Sequence, residues 1–339
     1  MEVIGDNIDR LVTIEVRPRN FIRGYIKRLY EAARERAKRP LTLLAAEKLR
    51  EEVGAGDQVI ILTGFIVPPL IPVGECDGPL GAASLARAIT MGLGGSVLVL
   101  SETECVPLIE ATFRAAELRT VNEKIHKENP QTTHTRGFPL STVEKAQKLT
   151  REIIDEYNPK AVIAVERAGR NEKGVYHTGF GHDMSSWTAK IDHFIDEARK
   201  RDILTIGIGD LGNEAGMGAI RDVVKKVVPN AEKCKCPCGA GLATMVETDV
   251  TVATAVSNLG AYGVTTCLSG LLNKFDLLQS VEVERRMIYE CINAGGIDGV
   301  SAFPSLHVDG IAAETYISWV KILRTIIEYG LTDVVLRGL

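Results

Sequence analysis

Residues 203–218 read Ile203-Leu204-Thr205-Ile206-Gly207-Ile208-Gly209-Asp210-Leu211-Gly212-Asn213-Glu214-Ala215-Gly216-Met217-Gly218. An apolar run enters this stretch and an amphipathic run ending near Val228 leaves it, which predicts a strand, a tight turn and a helix start. The turn combines five glycines with two carboxylates, Asp210 and Glu214. Glycine in a first helical turn costs about 1 kcal/mol against alanine, so Gly216 and Gly218 imply a close approach to the backbone. Backbone N–H groups at a helix start favour an anion and the carboxylates favour a cation. A metal bound together with an anionic ligand satisfies both. Gly207-x-Gly209-x-x-Gly212 also has dinucleotide-loop spacing, but Asp210 would face a pyrophosphate and no acidic-ended strand follows. No Gly-Lys-Ser/Thr P-loop is present. The plainest alternative is that Asp210 and Asn213 only cap a helix.

The pattern repeats on either side. Gln58–Thr63, Ser96–Leu100, Ala161–Val165 and Val250–Val256 are short apolar runs alternating with amphipathic ones. The economical solution is an α/β fold: a mostly parallel, Rossmann-like sheet with helices on both faces. Residues 1–53 read as a helical, basic N-terminal extension with the stripe Phe21, Ile22, Tyr25, Ile26 and Leu29. Arg17, Arg19, Arg23, Lys27, Arg28, Arg34, Arg36, Lys38 and Arg39 are expected on a solvated face, with one or two reaching an anion. Residues 54–339 form the α/β catalytic domain. Ser141-Thr142-Val143-Glu144 has capping-box form. The polar segment Asn122–Phe138 reads as a long loop or lid, with Lys124, Lys127, His134 and Arg136 available to close over an anion.

Composition narrows the function. The chain has 339 residues, 45% of them hydrophobic and 25% charged, as in a globular protein with a substantial core. A net charge of −4 argues against nucleic acid as a partner. No apolar run approaches a membrane span and the N-terminus lacks a signal-peptide layout, so no membrane partner and a cytoplasmic location are expected. A homo-oligomer is compatible with the sequence. Cys234, Cys236 and Cys238 invite zinc, but the usual pattern has two separated ligand pairs and no fourth ligand is evident nearby. A free-thiol turn is the expectation there, and His177 and His182 are too loosely spaced to define a site.

In open parallel sheets ligands sit beyond the carboxyl ends of the strands. Those ends carry Glu75/Asp77, Glu102, Glu166, Asp210/Glu214 and Asn258. Carboxylates brought so close coexist most readily around a cation, and an all-oxygen donor set points to Mn²⁺ or Mg²⁺. The expected metal ligands are Glu75, Asp77, Glu166, Asp210, Glu214 and Asp309. Arg167 and Arg170 are expected to clamp an anionic substrate, with Gly78, Gly209, Gly212, Asn213 and Asn258 around it. Acids for a metal beside arginines for an anion suit metal-assisted hydrolysis of a small phosphate- or carboxylate-bearing metabolite, most directly a phosphatase. Asp183 is the expected base, with Glu166 and Asp210 as further catalytic groups. The basic helices and glycine loops also fit a non-catalytic nucleotide- or metal-binding module.

Several motifs carry a family resemblance. They are Thr63-Gly64-Phe65 with Glu75-Cys76-Asp77-Gly78-Pro79, Glu166-Arg167-x-Gly169-Arg170 with Gly174-x-Tyr176 and Gly181-x-Asp183, and Ile208-Gly209-Asp210-x-Gly212-Asn213-Glu214-x-Gly216-Met217-Gly218. Ser257-Asn258-x-Gly260-x-Tyr262 and Asp309-Gly310 complete the set. In this order, over about residues 55–325, the chain resembles the C-terminal domain of D-glutamate cyclases. Cys76 stands where that family usually has threonine, and Leu211 where it usually has glycine. With the N-terminal half of the fused architecture absent, the chain resembles the free-standing branch. The resemblance implies an enzyme converting D-glutamate to 5-oxo-D-proline, with Arg167 and Arg170 holding substrate carboxylates.

Overall fold

The computed structural model describes residues 1–17 and 23–333. The expected contributions of Arg19, Phe21 and Ile22 lie outside the described residues. Three helices come first: α1 (Glu2–Val12), α2 (Ile26–Ala37) and α3 (Leu41–Glu52). Then follow β1 (Gln58–Leu62), α4 (Pro79–Arg87), β2 (Ser96–Glu102), α5 (Val106–Ala115), α6 (Glu123–Glu128), β3 (Thr133–Phe138), α7 (Val143–Tyr157) and β4 (Ala161–Val165). The second half holds α8 (His193–Lys200), β5 (Leu204–Gly209), α9 (Arg221–Val227), β6 (Val250–Ala253), α10 (Ser257–Leu272) and α11 (Val281–Asn293). It ends with β7 (His307–Val308), β8 (Ile311–Ala312) and α12 (Ala313–Leu331).

Six strands form one parallel sheet in the order β3-β2-β1-β4-β5-β6. The α/β expectation holds, and the side chains show why. Alternate residues of a strand face opposite sides of a sheet. Val59, Ile61, Val97, Val99, Ile163, Val165, Ile206 and Ile208 pack with the large cluster that includes Leu43, Leu80, Ile109, Val264 and Val320. Ile60, Leu62, Leu98, Leu100, Val162 and Ala164 pack instead with Ala146, Ile153 and Ile154 of α7 and Phe194, Ile195 and Ala198 of α8. Both faces are covered, so the strands are continuous apolar runs. Ile4 and Ile8 of α1, Leu29 of α2 and Leu49 of α3 belong to the same core as the sheet, so the chain around residue 53 runs through one shared interior.

Two local expectations change. The segment 122–138 is no lid: it forms α6 and then the edge strand β3, whose Thr-His-Thr-Arg alternation buries Thr133 and Thr135 and leaves His134 and Arg136 partly exposed. Lys127 pairs with Glu123 at 3.0 Å and also with Glu156, and Arg136 lies 3.7 Å from the same two acids. These cations are therefore engaged at the sheet edge. The cap of α7 is Thr142, whose hydroxyl accepts from Lys145 N at 3.4 Å, one residue on from the expected Ser141. The basic N-terminal helices are also locally matched: Arg34 meets Asp6 at 3.0 Å, and Arg39 meets Glu2 and Glu47 at 2.6 Å each.

The sheet order reverses between β1 and β4. At such a switch point the connections leave in opposite directions and open a crevice at the carboxyl ends of the strands. The loops that follow β1, β4 and β5 all emerge there.

Candidate active site

Each element delivers an acid to that crevice for a local reason. The loop after β1 ends at Gly78, whose φ of 99° suits glycine. A Cβ on Gly78 would lie 2.6 Å from Thr63 Oγ1 and 3.2 Å from Glu166 Cβ. The turn thus brings Asp77 down onto the start of α10, where its Oδ1 accepts from Asn258 N at 2.9 Å and its Oδ2 from Ser257 N at 3.2 Å. A carboxylate is favoured at that positive helix end. Glu166 is the first residue after β4 and adopts φ 45°, a left-handed conformation uncommon for a side chain of its size and found at functional sites. Its Oε2 accepts from Ser257 Oγ at 2.5 Å. Asp210 follows β5 directly. Glu214, four residues on, folds back to accept from Leu211 N at 2.9 Å and Gly212 N at 2.7 Å. Asp309 comes from the β7–β8 hairpin, where Asp309 (φ 53°) and Gly310 (φ 77°) form an Asp-Gly turn of I′ sign.

These acids line or adjoin one cleft of about 340 Å³ with an apolar wall of Phe65, Val67, Ile71, Phe180 and Leu211, a size that suits a small metabolite. Single oxygens of Glu166, Asp210 and Glu214 lie within 4.8 Å of one another, as do those of Asp77, Asp210 and Asp309. Glu75 also lines the cleft and is buried. Among the described residues, the cation lining the cleft is Arg17, from the segment after α1. Its guanidinium pairs with Asp210 and Asp309 and donates to Tyr25 Oη at 2.8 Å. Sequence alone left Arg17 among nine basic residues, because nothing local distinguishes it. Ser257, part of the family motif, and Asp298 likewise carry no role that the sequence alone assigns. Asp298 is buried and orders the neighbouring turn, accepting from Ser301 N at 2.9 Å and Gly310 N at 2.7 Å.

Other expected residues go elsewhere. Arg167 is buried and its Nη1 and Nη2 donors are spent on Glu102 Oε1 and Oε2 at 2.6 Å each, Gly64 O at 2.8 Å and Ala189 O at 2.5 Å. That is a bidentate clamp, but its anion is Glu102, so neither residue serves the crevice. Arg170 is held by Asp192 at 2.7 Å and Asp196 at 2.6 Å. Asp183 is exposed, lies outside the cleft lining, and accepts from Ser185 N at 2.8 Å. It closes a turn away from the residues that line the cleft. Asn258 uses its side chain to brace the loop: Oδ1 accepts from Gly78 N at 2.9 Å and Gly81 N at 2.6 Å, and Nδ2 donates to Cys76 O at 3.1 Å. Asn213 does line the cleft, with Nδ2 donating to His177 O at 3.0 Å and a buried Oδ1 that has no hydrogen-bond partner among the described residues.

The glycines of 207–218 admit backbone rather than ligand. A Cβ on Gly207 would lie 2.4 Å from Ala215 O, one on Gly216 2.6 Å from Gly207 Cα, and one on Gly218 2.6 Å from Val246 O. Gly209 and Gly212 are crowded by Glu214 and Val224 side chains. The chain doubles back on itself here, and α9 starts only at Arg221, so the predicted helix start after the turn is displaced.

Crowded, buried acids resist ionisation. Burial, then Asp309, pushes the Asp77 carboxyl up to about 7. Burial, then Asp210 and Glu214, raises Glu166 well above the ordinary carboxyl range, and burial, then Asp77 and Asp309, does the same to Glu75. Asp210 is also raised by burial, against the opposing pull of Arg17. A raised folded pKa means that the folded chain keeps a proton the unfolded chain has released. Stability is therefore lost as pH climbs from the ordinary carboxyl range through the folded value. His126, lowered by burial to about 4, has the opposite sign, but its effect is complete above its ordinary pKa. In EDTA, the melting temperature is thus expected to fall between pH 6.5 and 8, and the fall to be smaller in Asp77→Asn. A rise in melting temperature over that interval would contradict the protonated crevice.

The D-glutamate cyclase-like, C-terminal family model matches residues 15–324. The chain belongs to that family. Human mitochondrial D-glutamate cyclase is 27% identical over 281 residues, a match covering 75% of this chain and 43% of that protein, so the chain spans less than half the length of this relative. The family match begins at residue 15 and so takes in Arg17. The family and this relative overturn the phosphatase expectation. Its physical basis also fails, since both supposed phosphate-binding arginines are engaged by acids outside the crevice. Among the described residues no helix is long and apolar enough to cross a membrane.

Proposed function

We propose that the crevice is a cyclase site of the lyase type, converting D-glutamate to 5-oxo-D-proline with loss of water. The observation that carries this reading is the gathering of Asp77, Glu166, Asp210 and Asp309 with Arg17 in one cleft, in a member of this family. Arg17 supplies the cation that a substrate carboxylate needs, and the surrounding acids favour the substrate ammonium. The amine nitrogen attacks the side-chain carboxyl carbon. A C–N bond forms, a C–O bond breaks, and two ammonium protons leave with the departing oxygen as water. Glu166, whose proton burial and the neighbouring Asp210 favour, would donate to that oxygen. Asp77, at about 7, has the affinity of a base that accepts an amine proton near neutrality. The apolar wall excludes bulk water, which favours ring closure over its reversal.

The oxygen donors of Glu166, Asp210 and Glu214 also fit a hard divalent ion, Mn²⁺ or Mg²⁺. Such an ion would supply charge that lets Asp210 and Glu214 ionise while Glu166 keeps its proton, and would polarise the substrate carboxyl. The test is incubation of the purified protein with D-glutamate, with L-glutamate as control, with and without added Mn²⁺, followed by chiral chromatography. Formation of 5-oxo-D-proline above the uncatalysed rate is expected. No product under either metal condition would dismiss the reading.

A further inference from the structure

Outside the crevice, an imidazole and three thiols close on one point. His177 Nε2 lies 3.2 Å from Cys236 Sγ and 3.6 Å from Cys238 Sγ. Cys234 Sγ lies 3.4 Å from Cys236 Sγ and 3.3 Å from Cys238 Sγ. All four donor atoms fall within 4.8 Å of one another, and all three cysteines are free thiols. Ligands of a tetrahedral zinc ion, with bonds of about 2.0–2.3 Å, sit roughly 3.3–3.8 Å apart. These four distances are therefore within about half an ångström of the edges of such a site, and the remaining two pairs lie within 4.8 Å. We propose that His177, Cys234, Cys236 and Cys238 form a Cys₃His zinc site. The cysteine spacing by itself lacks a fourth ligand; the fold provides it from the loop after β4, far upstream in the chain.

Four protein ligands leave no open position, so the site is structural rather than hydrolytic. Its placement gives it a task. His177 adjoins Thr178, Gly179 and Phe180 of the crevice wall, and Cys234 follows the Pro229-Asn230 part of that wall. The two loops touch through Lys235 N donating to Gly181 O at 3.0 Å and Asn171 Nδ2 donating to Gly241 O at 2.8 Å. His177 O in turn accepts from Asn213 in the crevice. The ion would fix the rim on which Asn213 and Phe180 sit, which makes His177 a positioning residue for the neighbouring crevice.

Elemental analysis of the full chain, purified under reducing conditions from zinc-replete cells, is expected to give about one zinc per chain, released by thiol-specific mercurial titration. Replacement by Co²⁺ should produce near-ultraviolet thiolate-to-cobalt charge transfer with the visible bands of a tetrahedral S₃N centre. His177→Cys should retain the metal and shift those bands toward an S₄ pattern, and Cys234→Ser should lower zinc occupancy. Should the serine variant fail to fold, the spectrum of the Co²⁺-substituted natural chain still decides. Zinc-free protein with reduced thiols, a disulfide among the three cysteines, or bound Co²⁺ without thiolate charge transfer would each overturn the proposal.

Discussion

Replacing Glu166 with glutamine is expected to lower kcat for 5-oxo-D-proline formation by about 10²- to 10⁴-fold, the usual loss on removing a proton-transferring group. The amide is close to the size of the protonated acid and keeps an oxygen for Ser257 Oγ, which lies 2.5 Å from Glu166 Oε2. It also removes a carboxyl whose ionisation the burial and the neighbouring Asp210 oppose. The melting temperature should therefore hold or rise while turnover collapses. Parallel measurement of kcat, KM and melting temperature checks this. Equal losses of stability and activity would assign Glu166 a structural role and remove it from the chemistry.

The second large effect is on stability and lies one residue along the chain. Arg167→Met is expected to destabilise the fold by about 3–5 kcal/mol, because it leaves the Glu102 carboxylate buried without its partner. Both side chains are only 1% exposed, so water cannot replace the lost charge. For a domain of this size the melting temperature should drop by on the order of 10 °C. Adding Glu102→Gln to Arg167→Met should recover much of that loss, since the unpaired charge is then gone. Chemical denaturation of the two single variants and the double variant provides the measurement. If Arg167 instead held substrate, KM would rise with little change in stability, and the second substitution would restore nothing.

The fold was largely legible because burial on both faces makes four of its central strands apolar runs, and apolar alternation with amphipathic helices has few solutions. The strand β3 escaped notice because an edge strand tolerates Thr, His and Arg on its open side, and the segment Thr133–Phe138 looks like polar loop. The acids of the site were legible for a different reason: a carboxylate directly after an apolar strand has few places to go except the crevice. The same logic misled for Glu102 and Arg167, which lie at the ends of β2 and β4, on either side of β1, but neutralise each other. Charge type and position do not reveal pairing. Arg17 carries no local signal, since its role depends on contacts with Asp210 and Asp309, which lie far downstream in the chain. The cluster of His177 with Cys234, Cys236 and Cys238 was half visible, with its histidine supplied by a separate loop.

The most direct test is a crystal structure grown with Mn²⁺ and 5-oxo-D-proline, with data collected at the manganese edge. The product carboxylate is expected against the Arg17 guanidinium, with an anomalous peak between Glu166, Asp210 and Glu214. Product bound away from Arg17, with the acidic crevice holding neither ligand nor manganese, would contradict the assignment of this crevice as the reacting centre.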